Sequence, residues 1–417
     1  MTSGTTHIVG AGLAGLSAAV QLARQGRKVI VHELARHAGG RCRSYYEPTL
    51  GLTIDNGNHL LLSGNDSALS FLKLIGGGHL VSGPDRSEFT FCDPASGERW
   101  VLRPNDGPLP WWIFSNGRRV PRTHALDYAR LGRLLVAGGD ETVGDRLDLE
   151  SDVYHKLMRP VLLAALNCDP AEGSARLAAA VIRETLARGG QACRPLIAPN
   201  GLGPALVDPA IAFIQKNGGE VRFDNALRAF EFADGRVGAL AFAEGRIGLG
   251  PRDGVVLAVP AWVARTLVPE ITVPTEYRAI LNAHFRIAPP ANLEKIIGVI
   301  NSTTEWLFAF EDRLSVTVSS ADRFNETERE PLARQIWSEV AKIAGMKDSL
   351  PPWQIVKERR ATFAATPAQN ALRPSTKTRW TNLLLAGDWT ATGLPATIEG
   401  SIRSGEEAAK LAMAASI

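Results

Sequence analysis

A glycine-rich segment near the N-terminus has the spacing of a dinucleotide-binding turn. Gly10, Gly12 and Gly15 follow an apolar strand, and a helix-forming stretch begins at Leu13 and Ala14. In such a turn the first glycine permits a sharp change of direction, the second lets the backbone approach a pyrophosphate, and the third lets helix and strand pack closely. The phosphates then face the unpaired N–H groups at the start of the helix. We therefore predict that this segment binds a dinucleotide.

An acidic residue follows where a ribose contact is expected. Glu33 comes directly after the second apolar strand, Lys28–His32, and lies eighteen residues beyond Gly15. A carboxylate in this place accepts hydrogen bonds from ribose hydroxyls and disfavours a 2′-phosphate. The order of strand, glycine turn, helix, strand and acidic residue favours a ligand-binding turn over a purely structural one.

A second glycine pair, followed by cations, narrows the choice of dinucleotide. Gly39 and Gly40 precede Arg41, shortly after the ribose carboxylate. Adjacent glycines let the backbone lie flat against a ligand, and a guanidinium offers forked donors to a phosphate. A nicotinamide dehydrogenase does not need this second cradle, so the pattern favours a different dinucleotide.

Two more polar blocks come at the ends of apolar strands. Asp55-Asn56-Gly57-Asn58-His59 follows one strand, and Gly387-Asp388 follows the apolar run that begins at Leu383. A helix is predicted to start near Thr397-Ile398 and to run to Ser416. Taken alone, a Gly-Asp pair is equally typical of an ordinary strand-end turn.

Together these blocks resemble the FAD-binding signature of the amine oxidase and phytoene desaturase superfamily, over nearly the whole chain. The resemblance implies that the Gly57-Asn58-His59 turn passes close to the flavin and that the backbone of Leu227 lies along the adenine. It also implies that Gly387 and Asp388 contact the ribityl or pyrophosphate part of FAD. The helix N-terminus at Thr397-Ile398 would face the flavin carbonyl edge, where a reduced flavin carries negative charge.

The fold class that follows is α/β, with a Rossmann-type FAD-binding domain and an interleaved, mixed α+β substrate-binding domain, as in amine oxidase-like flavoproteins. We predict that the FAD-binding domain is discontinuous and comprises residues 1–75, 190–265 and 375–417. The substrate-binding domain is predicted to comprise residues 76–189 and 266–374. A chain of 417 residues is long enough for two such lobes.

The pattern of apolar residues also predicts elements of the second lobe. Helix-forming stretches fall at Leu126–Ala137 and Ser151–Leu166, and strands fall near Ile296–Ile300 and Leu314–Ser319. The run Val255–Pro260 is continuously apolar, which is typical of a strand in a buried parallel sheet.

Composition limits the function classes. The net charge of +3 is too small to indicate nucleic-acid binding, and four isolated cysteines indicate reduced thiols. No zinc spacing, HxxxH pair or carboxylate cluster occurs, so we predict no metal site. We find no signal peptide and no apolar run long enough to span a bilayer. We expect a cytoplasmic protein, soluble or in peripheral contact with the inner face of the cell membrane.

An aromatic segment between prolines is the notable feature of the second lobe. Trp111 and Trp112 stand in Pro108-Leu-Pro-Trp-Trp-Ile-Phe114, close to several arginines. Prolines disfavour a regular helix here, so a loop or an edge is predicted. The aromatics either plug the local core, line an apolar substrate mouth or contact a membrane. Asn167, at the end of an apolar helix, is a structural cap or a substrate ligand.

These lobe motifs narrow the resemblance to the squalene-associated FAD-dependent desaturase family of hopanoid biosynthesis, understood as hydroxysqualene dehydroxylases. It implies reductive removal of an allylic hydroxyl from hydroxysqualene, giving squalene, with an apolar triterpene as substrate. Because no cysteine lies near Gly387-Asp388, we expect non-covalent, dissociable FAD. The electron donor for the flavin is not identified, and association with other squalene-pathway enzymes is an expectation.

The residue that protonates the departing hydroxyl stays open. His59 has a side chain that titrates near neutral pH, but it could equally serve only to hydrogen-bond the flavin or the backbone. Asp55 is a second candidate. Alternative functions are a polyprenyl or carotenoid-type desaturase, a flavin amine oxidase, or a flavoprotein without catalysis.

Overall fold

A computed structural model of the chain describes residues 4–414. The described part contains strands β1 (Thr5–Val9), β2 (Lys28–His32), β3 (Ser44–Glu47), β4 (Leu52–Asp55), β5 (Leu61–Leu62), β6 (Phe89–Asp93), β7 (Glu98–Leu102), β8 (Pro195–Leu196), β9 (Glu220–Arg222), β10 (Leu227–Ala233), β11 (Arg236–Phe242), β12 (Gly245–Gly248), β13 (Gly254–Leu257), β14 (Tyr277–Phe285), β15 (Ile296–Val299), β16 (Trp306–Ala309), β17 (Leu314–Val318), β18 (Trp353–Phe363) and β19 (Leu383–Leu385).

Between them lie α-helices of four to seventeen residues. They are α1 (Leu13–Arg24), α2 (Asp66–Ile75), α3 (Ala125–Ala129), α4 (Gly132–Leu135), α5 (Val143–Arg146), α6 (Arg159–Leu166), α7 (Ala175–Glu184), α8 (Asp208–Lys216), α9 (Ala261–Leu267), α10 (Arg329–Ala344), α11 (Pro367–Ala371) and α12 (Ile398–Ala414). Within residues 4–414, no helix combines the length and the apolar character needed to cross a membrane.

The first sheet has five parallel strands in the order β19-β13-β1-β2-β9. Its strands come from three distant parts of the chain, so the polypeptide leaves this sheet and returns to it twice. Helices α1, α2, α8 and α12 cover one face and share a single apolar core with it. The carboxyl ends of β1, β13 and β19 therefore meet at one edge, which is where an open parallel sheet binds its ligand.

The second sheet has seven strands in the order β18-β14-β17-β16-β15-β6-β7, all antiparallel except the β15–β6 pair. Alternate residues of β14, including Leu281 and Phe285, pack against α10. The intervening residues, including Asn282 and His284, lie on the opposite face, as the two-residue period of a strand requires. The polar groups of that face are therefore available to loops of the first lobe.

These sheets confirm the α/β fold class and a parallel strand within the predicted stretch Val255–Pro260, although the strand ends at Leu257. The stretch Leu126–Ala137 forms two short helices, α3 and α4, rather than one, because the chain turns before Gly132. The end of the helix predicted to reach Ser416 lies outside the described residues. Domain boundaries at individual residues stay predictions.

Candidate active site

The turn between β1 and α1 has the geometry that its three glycines require. Gly10 has a φ of 104°, and a Cβ there would lie 2.5 Å from the Ala258 carbonyl oxygen. A Cβ on Gly15 would lie 2.0 Å from the Gly10 carbonyl oxygen, so helix and strand could not pack as closely. A Cβ on Gly12 would meet no protein atom within 4 Å. Gly12 therefore borders open space beside the first N–H groups of α1.

That open space is what a pyrophosphate needs. Leu13 and Ala14 are the first residues of α1, and the N-cap Gly12 supplies no side chain to satisfy their N–H groups. Packing within the protein requires Gly10 and Gly15, whereas the open side of Gly12 leaves room for an anionic ligand. The residues present thus fit a dinucleotide phosphate.

Glu33 connects this turn to the next strand of the sheet. Its carboxylate accepts hydrogen bonds from the Ala11 N–H at 2.7 Å and the Ala35 N–H at 2.9 Å. The Glu33 carbonyl oxygen accepts a bond from the Asn225 N–H at 2.8 Å. Leu227 begins β10 two residues later, so the structure brings this predicted adenine contact close to the predicted ribose acceptor.

Arg41 and Asp388, which are 347 residues apart, form an ion pair. The Arg41 Nη2 donates to Asp388 Oδ1 at 2.8 Å, and Arg41 Nη1 donates to the Ala361 carbonyl oxygen. Burial lowers the pKa of Arg41, but the Asp388 carboxylate outweighs it and raises that pKa overall. Gly40 has a φ of 55° and starts the short turn that carries Arg41. The predicted phosphate arginine and the predicted C-terminal acid therefore lie side by side.

The C-terminal block reaches the same edge of the sheet. Gly387 has a φ of 151°, and a Cβ there would lie 2.3 Å from the Trp389 indole nitrogen. Thr397 accepts a hydrogen bond from the Gly400 N–H at 3.0 Å through its hydroxyl, so it caps α12, which begins at Ile398. The Gly387 N–H donates to the Ser404 hydroxyl at 2.8 Å, which joins α12 to the Gly387-Asp388 turn.

Helix α12 packs directly on α1 because Gly405 lacks a side chain. A Cβ on Gly405 would lie 2.2 Å from the Ala14 carbonyl oxygen. The Ser17 hydroxyl also donates to the Ile402 carbonyl oxygen at 2.9 Å. The helices that carry the two predicted phosphate and flavin contacts are therefore held together by backbone contact. The sequence analysis did not single out Gly405.

The loop after β4 is held by a buried amide from the other lobe. Asn282, which is 1 % exposed, accepts hydrogen bonds from the Asn58 N–H at 3.2 Å and the Thr317 hydroxyl at 2.8 Å. A Cβ on Gly57 would lie 3.1 Å from the Asn282 amide nitrogen. Asn282 thus fixes the Gly57-Asn58-His59 turn against β14 and β17. The sequence analysis missed it because nothing in its local pattern sets it apart.

His59 is arranged to accept rather than to supply a proton. Its Nδ1 bonds the Gly57 carbonyl oxygen at 2.8 Å, so Nδ1 carries the hydrogen. Burial lowers the pKa of His59, which favours the neutral ring. This geometry favours the hydrogen-bonding role over the catalytic one, which stays a prediction.

Asp55, the second candidate, is also engaged. Burial raises the pKa of Asp55, although its Oδ1 accepts bonds from the Ser44 hydroxyl at 2.5 Å and the Leu202 N–H at 2.9 Å. A raised pKa suits a proton donor, and both contacts use Oδ1 rather than the second carboxyl oxygen. Asp55 therefore also joins β4 to the segment before α8.

The three predicted substrate-lining residues lie in different environments in the structure. Trp111 is 65 % exposed on the surface, whereas Trp112 is buried with its ring edge-on to Tyr128. Asn167 is buried and bonds the Thr362 hydroxyl at 2.9 Å and the Ser320 N–H at 2.7 Å. Its contacts are those of the structural alternative. A substrate role for these residues stays a prediction.

Arg373 is a third residue near the site that the sequence did not reveal. It is 8 % exposed, and Nη2 donates to the Asp388 carbonyl oxygen at 3.0 Å and to the Thr392 hydroxyl at 2.8 Å. The guanidinium lies over the Phe363 ring, 4.8 Å from its centre. Burial lowers the pKa of Arg373 to about 10. Through these two hydrogen bonds, Arg373 fixes the turn that carries Asp388.

Comparison with known proteins agrees with this geometry. The model of the flavin-containing amine oxidoreductase family matches residues 13–413. A hydroxysqualene dehydroxylase of Rhodopseudomonas palustris is 55 % identical over 99 % of both chains, and one of Sinorhizobium fredii is 51 % identical over 98 % of both. The chain belongs to the hydroxysqualene dehydroxylase family of flavin-containing amine oxidoreductases. It is therefore a flavin-dependent oxidoreductase.

Solved structures show the same fold at low identity. An oxidoreductase from Methanosarcina mazei superposes with a TM-score of 0.71 at 14 % identity, covering 97 % of this chain and 99 % of the other. Cyclohexylamine oxidase from Brevibacterium oxydans gives a TM-score of 0.65 at 17 % identity, with 99 % of both chains covered. At this level of identity, the likeness supports the two-lobed flavoprotein fold of the family and nothing finer.

Proposed function

We propose that this protein removes the hydroxyl of hydroxysqualene reductively, giving squalene and water, with FAD as a non-covalent cofactor. The observation that carries the proposal is its likeness, over 98–99 % of its length, to three hydroxysqualene dehydroxylases that are 47–55 % identical. The likeness spans both lobes of the chain.

The first lobe offers a place for each part of FAD. Glu33 would also accept from the adenosine ribose, and the open side of Gly12 would face the pyrophosphate. Arg41 and Asp388 would hold the ribityl or pyrophosphate part, and the N-terminus of α12 would face the flavin carbonyl edge. When bound and reduced, the flavin supplies a hydride to the carbon that loses the hydroxyl.

The state of the thiols supports the proposal of non-covalent binding. Cys42, the cysteine next to Arg41, is buried, and burial raises its pKa to about 12. Burial also raises the pKa of Cys92 and Cys168 to about 11 and that of Cys193 to about 12. A thiol held protonated is a poor nucleophile, so these cysteines are unsuited to forming a bond with the flavin.

The protein must also assist departure of the hydroxyl and exclude water. Breaking the C–O bond requires that the oxygen receives a proton or a strong hydrogen bond as it leaves. Asp55 is the better donor of the two candidates, because its pKa is raised whereas that of His59 is lowered. Apolar side chains that include Phe363 and Trp389 border the site and limit the access of water to an allylic cation.

The reaction can be tested with the purified holoenzyme. Anaerobic incubation with hydroxysqualene and dithionite should yield squalene, measured by gas chromatography and mass spectrometry, and should reoxidise the flavin. A product more unsaturated than squalene would identify a desaturase, and peroxide formation from an amine would identify an amine oxidase. Reduced flavin that no polyprenyl substrate reoxidises would show that catalysis is the wrong class.

A further inference from the structure

The exposed apolar side chains are concentrated in one short part of the chain. Nine large hydrophobic residues are exposed in the region the structure describes, and five of them fall between residues 109 and 136. We call four of these the aromatic patch. They are Leu109, Trp111, Phe114 and Leu126. Single exposed apolar residues are common, but such a concentration marks an interaction surface.

The aromatic patch is held in place by the residues beneath it. Trp111–Phe114 forms a short 3-10 turn, and the buried Trp112 ring meets Tyr128 of α3 edge-on at 5.3 Å. The Trp112 N–H donates to the Asn105 side chain at 3.1 Å. The rings of Trp111 and Phe114 lie 6.2 Å apart on the outer side. The turn therefore presents a fixed aromatic surface and keeps that surface out of the core.

The surroundings of the aromatic patch are basic. Residues 104–140 contain five arginines and three aspartates, with no glutamate or lysine. Arg118 and Arg133 are exposed and pair with no carboxylate among residues 4–414. Arg119 donates to the Ile113 carbonyl oxygen, which keeps its charge beside the turn. A chain segment that carries both exposed aromatic side chains and unpaired arginines fits the boundary of an anionic lipid bilayer.

We infer that the aromatic patch docks this protein on an anionic membrane surface, with Trp111 and Phe114 at the headgroup level. A second copy of the chain suits the surface less well, because a two-fold contact would bring the arginines of both copies together. The inference rests in part on the proposed function, since a triterpene substrate resides in lipid. Trp112 belongs to the same apolar cluster as Phe363 and Trp389, so this cluster extends from beneath the patch to the candidate active site.

Vesicle flotation of the holoenzyme tests this directly. We expect binding to vesicles of phosphatidylcholine with phosphatidylglycerol, weaker binding to phosphatidylcholine alone, and weakening by salt. The affinity of the double variant Phe114→Ser/Leu126→Ser for these vesicles should be at least about tenfold lower, because two apolar side chains leave the interface. Arg118→Gln/Arg133→Gln should lose the preference for the anionic lipid. The matched control is Tyr46→Ser, which removes an equally exposed aromatic from outside the patch.

Three outcomes would overturn the inference. One is equal flotation of the wild type and Phe114→Ser/Leu126→Ser, with circular dichroism showing both folded. Another is no binding to either vesicle. The third is a concentration-dependent dimer that the double variant abolishes, which would assign the surface to a second copy. Flotation needs no hydroxysqualene, and turnover of detergent-dispersed hydroxysqualene tests the reaction separately, so failure of one proposal is distinguishable from failure of the other.

Discussion

The two lobes build their share of the site in different ways. Around the five-stranded sheet, the decisive contacts are made by backbone, at Gly10, Gly15 and Gly405. On the seven-stranded sheet they are made by buried side chains such as Asn282, whose partner Asn58 lies 224 residues away. Backbone contacts need a particular residue type at a particular spacing. A buried side chain such as Asn282 needs only a suitable partner in the folded chain, so no pattern in the neighbouring sequence marks it.

Replacement of two glycines in the same turn gives the largest expected effect. Gly15→Ala should lower the free energy of unfolding by about 3 kcal/mol, because its methyl group meets backbone at 2.0 Å. Gly12→Ala should leave that energy within about 0.5 kcal/mol, since no protein atom lies near, but should lose FAD. Urea denaturation of the apoprotein and flavin absorbance measure the two effects. A Gly12→Ala protein that retains its full flavin content would contradict the assignment of the open side.

Replacement of Asn282 tests the buried side-chain contacts of the seven-stranded sheet. Asn282→Ala should lower the free energy of unfolding by about 2–3 kcal/mol, because the Thr317 hydroxyl and the Asn58 N–H lose their acceptor. It should also shift the flavin absorbance maxima, since the Gly57-Asn58-His59 turn is freed. Asn282→Asp, which keeps the acceptor oxygen, should restore part of the stability. If the absorbance spectrum is unchanged, the turn does not depend on this residue.

A buried carboxylate in the same lobe should make stability depend on pH. Burial raises the pKa of Glu305 to about 7, with its side chain bonded to the Ser319 N–H at 2.7 Å. The folded state then favours the protonated form, so this contribution to stability is present below the usual pKa and is lost as the pH rises through about 7. Glu305→Gln should therefore be more stable than the wild type at pH 8, by about 2 kcal/mol relative to their difference at pH 5. Thermal denaturation at both pH values checks this, and an equal difference at both would refute it.

The ion pair that joins the two ends of the chain should give the smallest change in stability. Asp388→Asn should cost about 1 kcal/mol, because Arg41 is partly exposed and only Asp388 is buried. The free energy of flavin binding should change by more than the free energy of unfolding. Asp66→Asn, which breaks an exposed pair with Arg188, is the matched control and should leave flavin binding unchanged. Equal flavin affinity in both variants would remove Asp388 from the cofactor site.

Much of the cofactor half of the fold could be predicted from the sequence. The turn at Gly10–Gly15 and the strand before it follow from local spacing, and the buried parallel strand β13 follows from its continuous apolar run. The roles of single residues were less accessible. His59 stood out because of its residue type, but its lowered pKa is a consequence of burial in the folded chain. Asn282 went unnoticed because its partner Asn58 lies 224 residues away, and Arg373 because its contacts with Asp388 and Thr392 form only in the folded turn.

The sequence by itself determined the dinucleotide turn, the parallel strands and the family resemblance, since each rests on residue types at short, fixed separations. The tertiary structure decided which of two adjacent tryptophans faces solvent, which amide fixes the turn at His59, and that Arg41 pairs with Asp388. The reason is physical. Conformational freedom of the backbone is restricted by neighbours along the chain, whereas burial and charge pairing depend on groups that meet only when distant segments pack together.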